Sequence, residues 1–549
     1  MKYILSAISA ILLIIAAVNT VKSPDNVNIP WILAIGLLIL SVHLRDISKL
    51  CLHKIIAQYK ANYTILTILA GGIFLRLYKL QTFPFTVHGD EAEFGIGTRE
   101  IMAGVGPNLA STGWYNVPLL SFAIPIPAFL IFGDNLFALR FTSVVLGVAS
   151  IYLTYKLAQL LFTQRVAIYA AFITMYSSLH IHFSRSGTHY MQAVTVSLLS
   201  FYFLWSAIKR QNLRGFLFSG LMVGLSLQVY YSARISVVII AIFGLTYLIT
   251  GIKHYTKSFK RISLFVTGIL YGSLPILVYF INEPNAFVSR TVNVWIYSNI
   301  DHLSAAYGTG SISKITLQQF INTLMFFFGG KDMSSQYGFM HGGFDYITSA
   351  LLFIGIGMLH WNIMKNKTGQ FLLIWFYLML VSIVLTVDAP FSPRILPIIP
   401  MVAITAASVL DKIFRNTKSI IIAGILFGIA MLNIYMYFSL YQKEEPRQIA
   451  TYLSKYLQSK DPTQYNCLLS ARDLYYNFGT IRFLNKNAQG ETILSLTTND
   501  KLAHCDRLIL TAQYSNIYPN IAYDFKPNKE ELRNDENYLL FTIYSGPTQ

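Results

Sequence analysis

The chain has 549 residues, of which 54% are hydrophobic and only 12% are charged, and its mean hydropathy is +0.50. Apolar segments recur from end to end, which is typical of a polytopic membrane protein and exceeds what a soluble core of this length needs. The formal net charge of +17 does not indicate a nucleic-acid partner, because the Lys and Arg residues are dispersed in short clusters between apolar segments, as orientation signals are.

Thirteen apolar windows of about 20 residues predict membrane-spanning helices. They lie near residues 3–20, 31–47, 62–80, 134–160, 165–183, 188–208, 213–232, 234–252, 262–281, 346–364, 369–387, 394–411 and 418–440. The first window resembles a signal peptide, but no convincing small-residue cleavage site follows it, so we interpret it as a retained anchor.

Alternate loops between these spans are basic, which is the pattern of cytoplasmic loops. Their basic residues are Arg45, Lys49, Lys54 and Lys60, Lys156 and Arg165, Lys209, Arg210 and Arg214, Lys253, Lys257, Lys260 and Arg261, Lys365 and Lys367, and Lys412, Arg415 and Lys418. With the N-terminus inside, the loops at 81–133 and 282–345 and the chain after residue 441 lie outside the cell membrane. Residues 118–132 are apolar but contain three prolines, and we expect them to lie at the membrane interface, since a span there would place the later basic clusters outside.

The composition becomes water-compatible after about residue 442. Residues 444–460 have the pattern of an amphipathic helix, and NCLLSA, TIRFL, RLILTA and YLLFTIY are short apolar runs that predict buried strands. Cys467 and Cys505 either pair in an oxidising compartment or remain two buried thiols. We therefore predict an all-α polytopic membrane protein with a small C-terminal α/β domain. It divides into two N-terminal helices and a basic cytoplasmic loop (1–61), the main transmembrane module (62–441) and an extracytoplasmic domain (442–549).

The first outer loop carries adjacent acids, Asp90 and Glu91, in a chain where charge is scarce. A carboxylate beside a second acid and a partly desolvated wall is suited to remove a proton from a hydroxyl, although a solvated loop could also carry such acids. His88 precedes the pair, and Trp114 and Tyr115 supply flat aromatic faces of the kind on which sugars stack. These surroundings favour a functional interpretation.

Four arginines lie at the predicted outer ends of later spans: Arg140, Arg185, Arg234 and Arg394. Each alone could extend its charge to the membrane surface. Together they are planar, permanently charged donors suited to the phosphate of a lipid-linked substrate. We also place His189 and Tyr231 among candidate sugar or acceptor contacts. His180, His182 and His189 could hold a divalent metal ion, but such histidines are more often hydrogen-bonding groups, and no ligand spacing supports a metal.

Four segments carry a family resemblance: HGDEAEFGIGTREIMAGVGP, LIFGDNLFALRFTSVVLG, HFSRSGTHY and SPRILPIIP, in that order. Residues from about 65 to 440 resemble the polyprenyl-phosphate-sugar transferases of the protein O-mannosyltransferase type, glycosyltransferase family 39, which include bacterial aminoarabinose transferases. The resemblance implies a GT-C fold, a sugar donor on a polyprenyl phosphate, and a catalytic acid in the first outer loop. By position, Asp90 matches that acid, Glu91 its partner, and Arg140 the arginine after the interfacial segment.

The expected reaction is an inverting single displacement, in which Asp90 deprotonates an acceptor hydroxyl and arginines stabilise the departing lipid phosphate. The acceptor, whether protein, lipid or glycan, is left open. The two N-terminal spans are additional to the family pattern, and the C-terminal segment lacks the repeated sugar-binding module of eukaryotic relatives. The alternative is a lipid or solute transporter or flippase, although the one-sided placement of polar residues and the lack of mid-span acids favour a surface reaction.

Overall fold

The computed structural model describes residues 2–47, 63–106, 108–249, 255–334, 336–361, 363, 366–415, 419–470, 474–493, 504–517 and 528–545. Six of the basic loop residues, Lys49, Lys54, Lys60, Lys253, Lys365 and Lys418, lie outside these ranges. A helix overlaps each predicted span. These helices are Lys2–Lys22, Asn28–Ile47, Tyr63–Leu77, Leu136–Leu161, Gln164–Tyr176, Tyr190–Arg210, Leu213–Ser226, Ile235–Ile249, Tyr255–Asn282, Tyr346–Trp361, Lys367–Val384, Ile399–Phe414 and Ser419–Tyr435.

Eight helical segments in the described chain are long and apolar enough to cross a membrane. They are Tyr3–Lys22, Pro24–His43, Leu136–Leu161, Tyr190–Arg210, Phe259–Asn282, Lys367–Val384, Ser392–Phe414 and Ile420–Glu444. The chain is therefore a multi-pass membrane protein, while the number thirteen stays a prediction. The share of residues buried inside the protein distinguishes central from peripheral helices. It is 89% for the apolar window of Ser392–Phe414 and 22% for that of Ile420–Glu444.

The two N-terminal helices attach to the Tyr255–Asn282 helix through polar contacts within an apolar interface. The Ser9 hydroxyl lies 3.1 Å from the Tyr271 hydroxyl, and the Trp31 indole N–H donates to the Tyr271 carbonyl at 2.9 Å. A buried indole N–H needs such an acceptor, so this contact fixes how the N-terminal pair sits on the bundle.

Short helices fill the two predicted outer loops. The first contains Gly89–Met102, Leu119–Ala123 and Ile126–Phe132, and the second contains Pro284–Val294, Ile300–Tyr307 and Ile312–Phe326; Ser178–Phe183 is a further short helix between spans. Residues 118–132 thus form two short helices rather than one spanning helix. Leu130 and Ile131 are 72% and 71% exposed, as expected for side chains that face lipid at an interface.

In its described residues, the C-terminal domain is a five-stranded mixed sheet with helices, which agrees with the predicted α/β domain. Its strands are β1 (Asn466–Leu469), β2 (Gly490–Ile493), β3 (Arg507–Thr511), β4 (Asn528–Arg533) and β5 (Leu539–Ser545), in the order β2-β1-β3-β5-β4. Strand β1 pairs in parallel with β2 and β3, whereas β5 pairs antiparallel with β3 and β4. The helices are Ile449–Gln458, Gly479–Leu484 and Ala512–Ile517.

For this domain, the structure corrects one prediction made from the sequence and decides between two alternatives that the sequence left open. The TIRFL segment is part of the Gly479–Leu484 helix and not a strand, because a short apolar run has no periodicity that separates the two and its apolar side chains pack against a neighbouring helix. Cys467 and Cys505 form a disulfide that closes a segment of 38 residues.

Candidate active site

The predicted acids lie in the first turn of the Gly89–Met102 helix, hereafter the acidic helix. His88 is its N-cap, and its Nδ1 accepts a hydrogen bond from the Asp90 backbone N–H at 3.1 Å. Burial lowers the pKa of His88, and the carboxylates of Asp90 and Glu91 only partly oppose this, so the ring is neutral near pH 7. With Nδ1 accepting, the proton of the neutral ring resides on Nε2. Carboxylates in the first turn also interact favourably with the helix dipole.

The two acids have different environments. The Asp90 side chain is 26% exposed, and its Oδ2 lies 3.4 Å from the donating Tyr190 hydroxyl. The Glu91 side chain is 2% exposed and accepts three hydrogen bonds, from Arg140 at 2.8 and 3.1 Å and from the Gly187 backbone N–H at 2.6 Å. Asp90 is therefore the carboxylate that can meet a substrate, whereas Glu91 belongs to a buried ion pair.

Arg140 is completely buried and uses all five of its N–H donors. Besides the two bonds to Glu91, it donates to the backbone carbonyls of Leu80 and Pro84 at 3.0 and 2.9 Å and of Thr86 at 3.2 Å. It thus ties the chain entering the acidic helix to that helix. No donor is left for a phosphate in this conformation, so the geometry assigns Arg140 to positioning and not to phosphate binding.

Arg185 has a similar internal role. Its Nη1 donates to the carbonyls of Leu75 and Arg76 at 2.7 and 3.0 Å, and its Nη2 to those of Tyr78 and Phe83 at 2.6 and 2.7 Å. These carbonyls lie at the C-terminal end of the Tyr63–Leu77 helix and just beyond it, where backbone acceptors lack helical partners and a cation is favoured. Arg185 therefore closes this helix end rather than facing Asp90.

The other two predicted arginines keep donors outside such networks. Arg394 donates through Nη1 to the Thr386 hydroxyl at 2.8 Å and the Val387 carbonyl at 2.6 Å, with its guanidinium 4.4 Å from the Phe391 ring centre. Arg234 donates to the Phe287 carbonyl at 3.3 Å and lies against the Tyr231 ring at 4.3 Å. Neither forms an ion pair within 4 Å with a carboxylate of the described residues.

The sequence reasoning missed Arg290, which interacts electrostatically with Asp90. It belongs to the Pro284–Val294 helix and also interacts electrostatically with Tyr230 and Tyr190. Arg394 interacts with the same two tyrosines and with Arg290 itself. Two neighbouring guanidinium groups without a paired carboxylate among the described residues form a site suited to an anion. Arg290 is the only arginine of the predicted outer loop at 282–345, but the sequence does not place it beside Asp90.

Aromatic side chains form the wall between these charges and the bundle. The Tyr190 and Tyr337 hydroxyls are 2.9 Å apart, and the Tyr190 and Tyr230 ring centres are 4.8 Å apart. The His189 ring lies 4.4 Å from the Tyr230 ring, and its Nδ1 has no hydrogen-bond partner. These hydroxyls and ring nitrogens are the polar groups available to a substrate beside Asp90.

The remaining predicted contacts lie on the same side. The Tyr231 hydroxyl donates to the Asn116 carbonyl at 2.5 Å. Trp114 is half-buried, whereas Tyr115 is 60% exposed and its ring centre is 6.0 Å from the Arg290 guanidinium. The structure thus brings the residues 114–116 turn and the arginine-bearing helix of the second outer loop together, with Tyr231 at their junction.

The C-terminal domain packs directly on the acidic helix. The Thr480 hydroxyl donates to the Val87 carbonyl at 2.9 Å, and the Phe483 ring occupies the space that a Cβ at Gly95 would take. Arg99 donates to Asp134 at 2.8 and 3.0 Å and to the Phe483 carbonyl at 3.1 Å. The domain and the candidate site therefore lie at the same end of the bundle.

Within the described residues, the side chains around Asp90 do not bring three possible metal-ligand atoms together. Glu91 is committed to Arg140 and His88 Nδ1 accepts a backbone N–H, whereas a divalent ion needs several oxygen or nitrogen ligands. In the described part of the chain, three possible ligand atoms come within 4.8 Å of one another only at Cys467, His504 and Cys505, where the disulfide engages both sulfurs. His180 uses both ring nitrogens in contacts with Arg76 and Ser150.

Fold and site together define a multi-pass membrane protein with a partly exposed acid and nearby arginines at one end of its helical bundle. The dolichyl-phosphate-mannose-protein mannosyltransferase family model matches residues 116–279, which include Arg140, Arg185 and Arg234 but not Asp90. No curated protein sequence matches the chain.

Solved structures share the fold over most of this chain. ArnT from Cupriavidus metallidurans bound to undecaprenyl phosphate has a TM-score of 0.53 at 11% identity, covering 88% of this chain and 98% of that one. Its apo state has a TM-score of 0.54, with 11% identity and coverages of 88% and 97%. The oligosaccharyltransferase of Archaeoglobus fulgidus in complex with Zn and sulfate has a TM-score of 0.50 at 12% identity, with coverages of 87% and 72%. The chain therefore has a GT-C-like fold, and the predicted resemblance is confirmed.

Proposed function

We propose that the protein is a membrane glycosyltransferase, which moves a sugar from a polyprenyl-phosphate donor to an acceptor hydroxyl at the extracytoplasmic face of the cell membrane. One observation carries the proposal. Asp90 is a partly exposed carboxylate, and the unpaired guanidinium groups of Arg290 and Arg394 share its tyrosine-lined surroundings. A base beside an anion site is the arrangement that this chemistry needs.

In the proposed step, the acceptor oxygen attacks the anomeric carbon while its proton passes to Asp90. The bond between that carbon and the phosphate oxygen breaks, and the lipid phosphate leaves as an anion without needing a general acid. Arg290 and Arg394 stabilise the negative charge that develops on the phosphate. Because one displacement occurs, the anomeric configuration is inverted. Glu91 does not transfer a proton; it holds the first turn of the acidic helix through Arg140.

The remaining predicted residues have supporting places in this scheme. His88, with its proton on Nε2, and His189 offer ring nitrogens to sugar or acceptor hydroxyls, and Trp114 and Tyr115 offer aromatic faces. Tyr231 contacts both the 114–116 turn and Arg234. The Arg234 guanidinium lies against the Tyr231 ring, and its positive charge adds to the attraction of the anion site for a phosphate. The donor class follows from the undecaprenyl phosphate bound by the similar ArnT structure. The acceptor is a protein, lipid or glycan.

Replacing Asp90 with Asn tests the base. We expect Asp90→Asn to lower transfer from a radiolabelled polyprenyl-phosphate sugar by at least about 100-fold, since a positioned base contributes that much, while donor affinity stays within about twofold because the amide keeps the shape. Glu100→Gln, at an exposed position on the same helix, is the matched control and should leave both the transfer rate and the donor affinity unchanged. Retained turnover in Asp90→Asn would refute the assignment.

Replacing Arg290 with Gln tests the anion site. Loss of a charge-assisted contact to phosphate should weaken donor binding by about 10-fold or more. Arg210→Gln, an exposed arginine at the other end of the bundle, should leave affinity unchanged. In the same preparation, movement of intact donor across reconstituted vesicles without bond cleavage would support a transporter and contradict the enzymatic proposal.

A further inference from the structure

A cavity lies far from Asp90, between the ends of four helices. It has a volume of about 320 Å³, within the roughly 300–1,000 Å³ range of ligand sites. The helices are Tyr190–Arg210, Leu213–Ser226, Ile235–Ile249 and Tyr255–Asn282. Its lining is apolar and aromatic, and the polar groups of its side chains are the Tyr247 hydroxyl and the Arg261 guanidinium.

The cavity is separate from the proposed reaction site. Tyr190 contacts Asp90 at the start of the Tyr190–Arg210 helix, whereas Leu204 and Ile208 of that helix line the cavity. At 1.5 Å per residue, 14 to 18 residues of helix place the cavity about 21–27 Å from Tyr190 along the helix axis. A lipid whose phosphate is held beside Asp90 therefore cannot also have that phosphate at this cavity.

The cavity has an apolar side and a basic end. Leu245 and Ile262, which line it, are 58% and 43% exposed, so the cavity can be reached from the lipid side of the bundle. Arg261 donates to the Gln211 side chain at 2.6 Å, lies 5.8 Å from the Phe216 ring centre, and has no carboxylate within 4 Å among the described residues. Lys209, Arg210 and Lys260 are exposed at the same end.

We propose that this cavity binds one acyl chain of an anionic phospholipid, with the lipid phosphate at Arg261. The apolar lining accommodates the chain, and the basic end is complementary to an anionic head at the membrane surface. An apolar cavity with one uncompensated arginine at its mouth fits a lipid better than a soluble ligand, because the opening lies among exposed apolar side chains.

Two glycines allow a matched test. A Cβ at Gly244 meets no atom within 4 Å, and Gly244 lines the cavity, so Gly244→Leu extends a side chain into free space without a backbone clash. A Cβ at Gly424 is equally free, but Gly424 lies on the Ser419–Tyr435 helix and does not line the cavity. Gly424→Leu is therefore the control for a leucine added to a lipid-facing helix.

The experiment is native mass spectrometry of the purified full chain titrated with phosphatidylglycerol or phosphatidylcholine of the same acyl composition. We expect one tightly bound phosphatidylglycerol, favoured about fivefold over phosphatidylcholine, which corresponds to one basic contact. Arg261→Gln should remove the preference, Gly244→Leu should weaken binding of both lipids about 10-fold or more, and Gly424→Leu should bind as the unmodified chain does. Thermal melting confirms that each variant is folded.

Three results of this phospholipid titration would overturn the proposal. They are unchanged lipid binding in Gly244→Leu, equal loss of lipid in Gly424→Leu, and no preference for phosphatidylglycerol in the unmodified chain. Displacement of the bound lipid by undecaprenyl phosphate would assign the cavity to a polyprenyl chain and would also overturn it. The proposal does not depend on the transferase reaction, because lipid binding is measured without turnover.

Discussion

The buried pair of Glu91 and Arg140 offers the sharpest prediction, because sequence and structure assign Arg140 different roles. At sequence level it is a phosphate ligand; in the structure all five donors are committed internally and the side chain is fully buried. Removing one partner of a buried pair leaves the other charge unpaired, which costs about 3–5 kcal/mol. Arg140→Met should therefore lower the free energy of unfolding by about that amount.

A double-mutant cycle separates the pair from its surroundings. Arg140→Met/Glu91→Leu removes both charges, and it should cost about 1–3 kcal/mol less than the sum of the two single changes, as expected for residues in one network. Full recovery is not expected, since the carbonyls of Leu80, Pro84 and Thr86 and the Gly187 N–H lose their partners as well.

Denaturant unfolding in detergent micelles measures these free energies, and donor affinity is measured on the folded fraction. We expect the affinity of Arg140→Met for a polyprenyl-phosphate sugar to stay within about twofold of the unmodified protein, unlike that of Arg290→Gln. A stable Arg140→Met protein with weakened donor binding, or single changes whose costs add within about 0.5 kcal/mol, would refute the positioning role.

Two further predictions concern groups around the site. Burial raises the pKa of Asp332 to about 6, against hydrogen bonds from Ser392 and Ser334 and the charge of Arg394. Because this pKa lies above the unfolded value of 3.8, the contribution of Asp332 to folding stability is highest below pH 3.8 and is lost as the pH rises through 6. Asp332→Asn should therefore be more stable than the unmodified protein by on the order of 2 kcal/mol at pH 7.5, and equally stable near pH 4. Thermal melting at the two pH values measures this difference. A stability difference that does not depend on pH would contradict this reasoning. Gly95→Ala should displace the Phe483 ring and lower the transfer rate, and Gly95→Ala/Phe483→Ala should recover much of it; failure of this rescue would show that the contact does not act through steric fit.

The helical bundle is predictable from sequence because the lipid environment requires long apolar segments, and each of the thirteen windows overlaps a helix. The interfacial segment follows from its prolines, and the structure has two short helices there. The prediction of a strand for TIRFL was wrong because five residues are too few for hydrophobic periodicity to distinguish a helix from a strand.

The site is predictable only in part. The loop with Asp90 and Glu91 stands out because charge is scarce, but adjacency in sequence does not imply a shared environment. Neighbouring residues on a helix point about 100° apart, so Asp90 contacts the Tyr190 hydroxyl while Glu91 contacts Arg140. Arg290 could not be found in this way, because its proximity to Asp90 depends on how a helix of the second outer loop folds back over the first.

The same geometry explains why the acidic helix is held from two sides. Arg140 fixes its first turn from the bundle through Glu91, and the C-terminal domain fixes its outer side through Phe483 and Thr480. A base acts efficiently only when its distance from the reacting hydroxyl is fixed, and each fixed contact is formed before the substrate arrives. Since the domain contacts the helix that carries Asp90, its effect on the proposed reaction is through the position of that carboxylate. Changes at this interface should therefore lower the transfer rate more than they weaken donor binding.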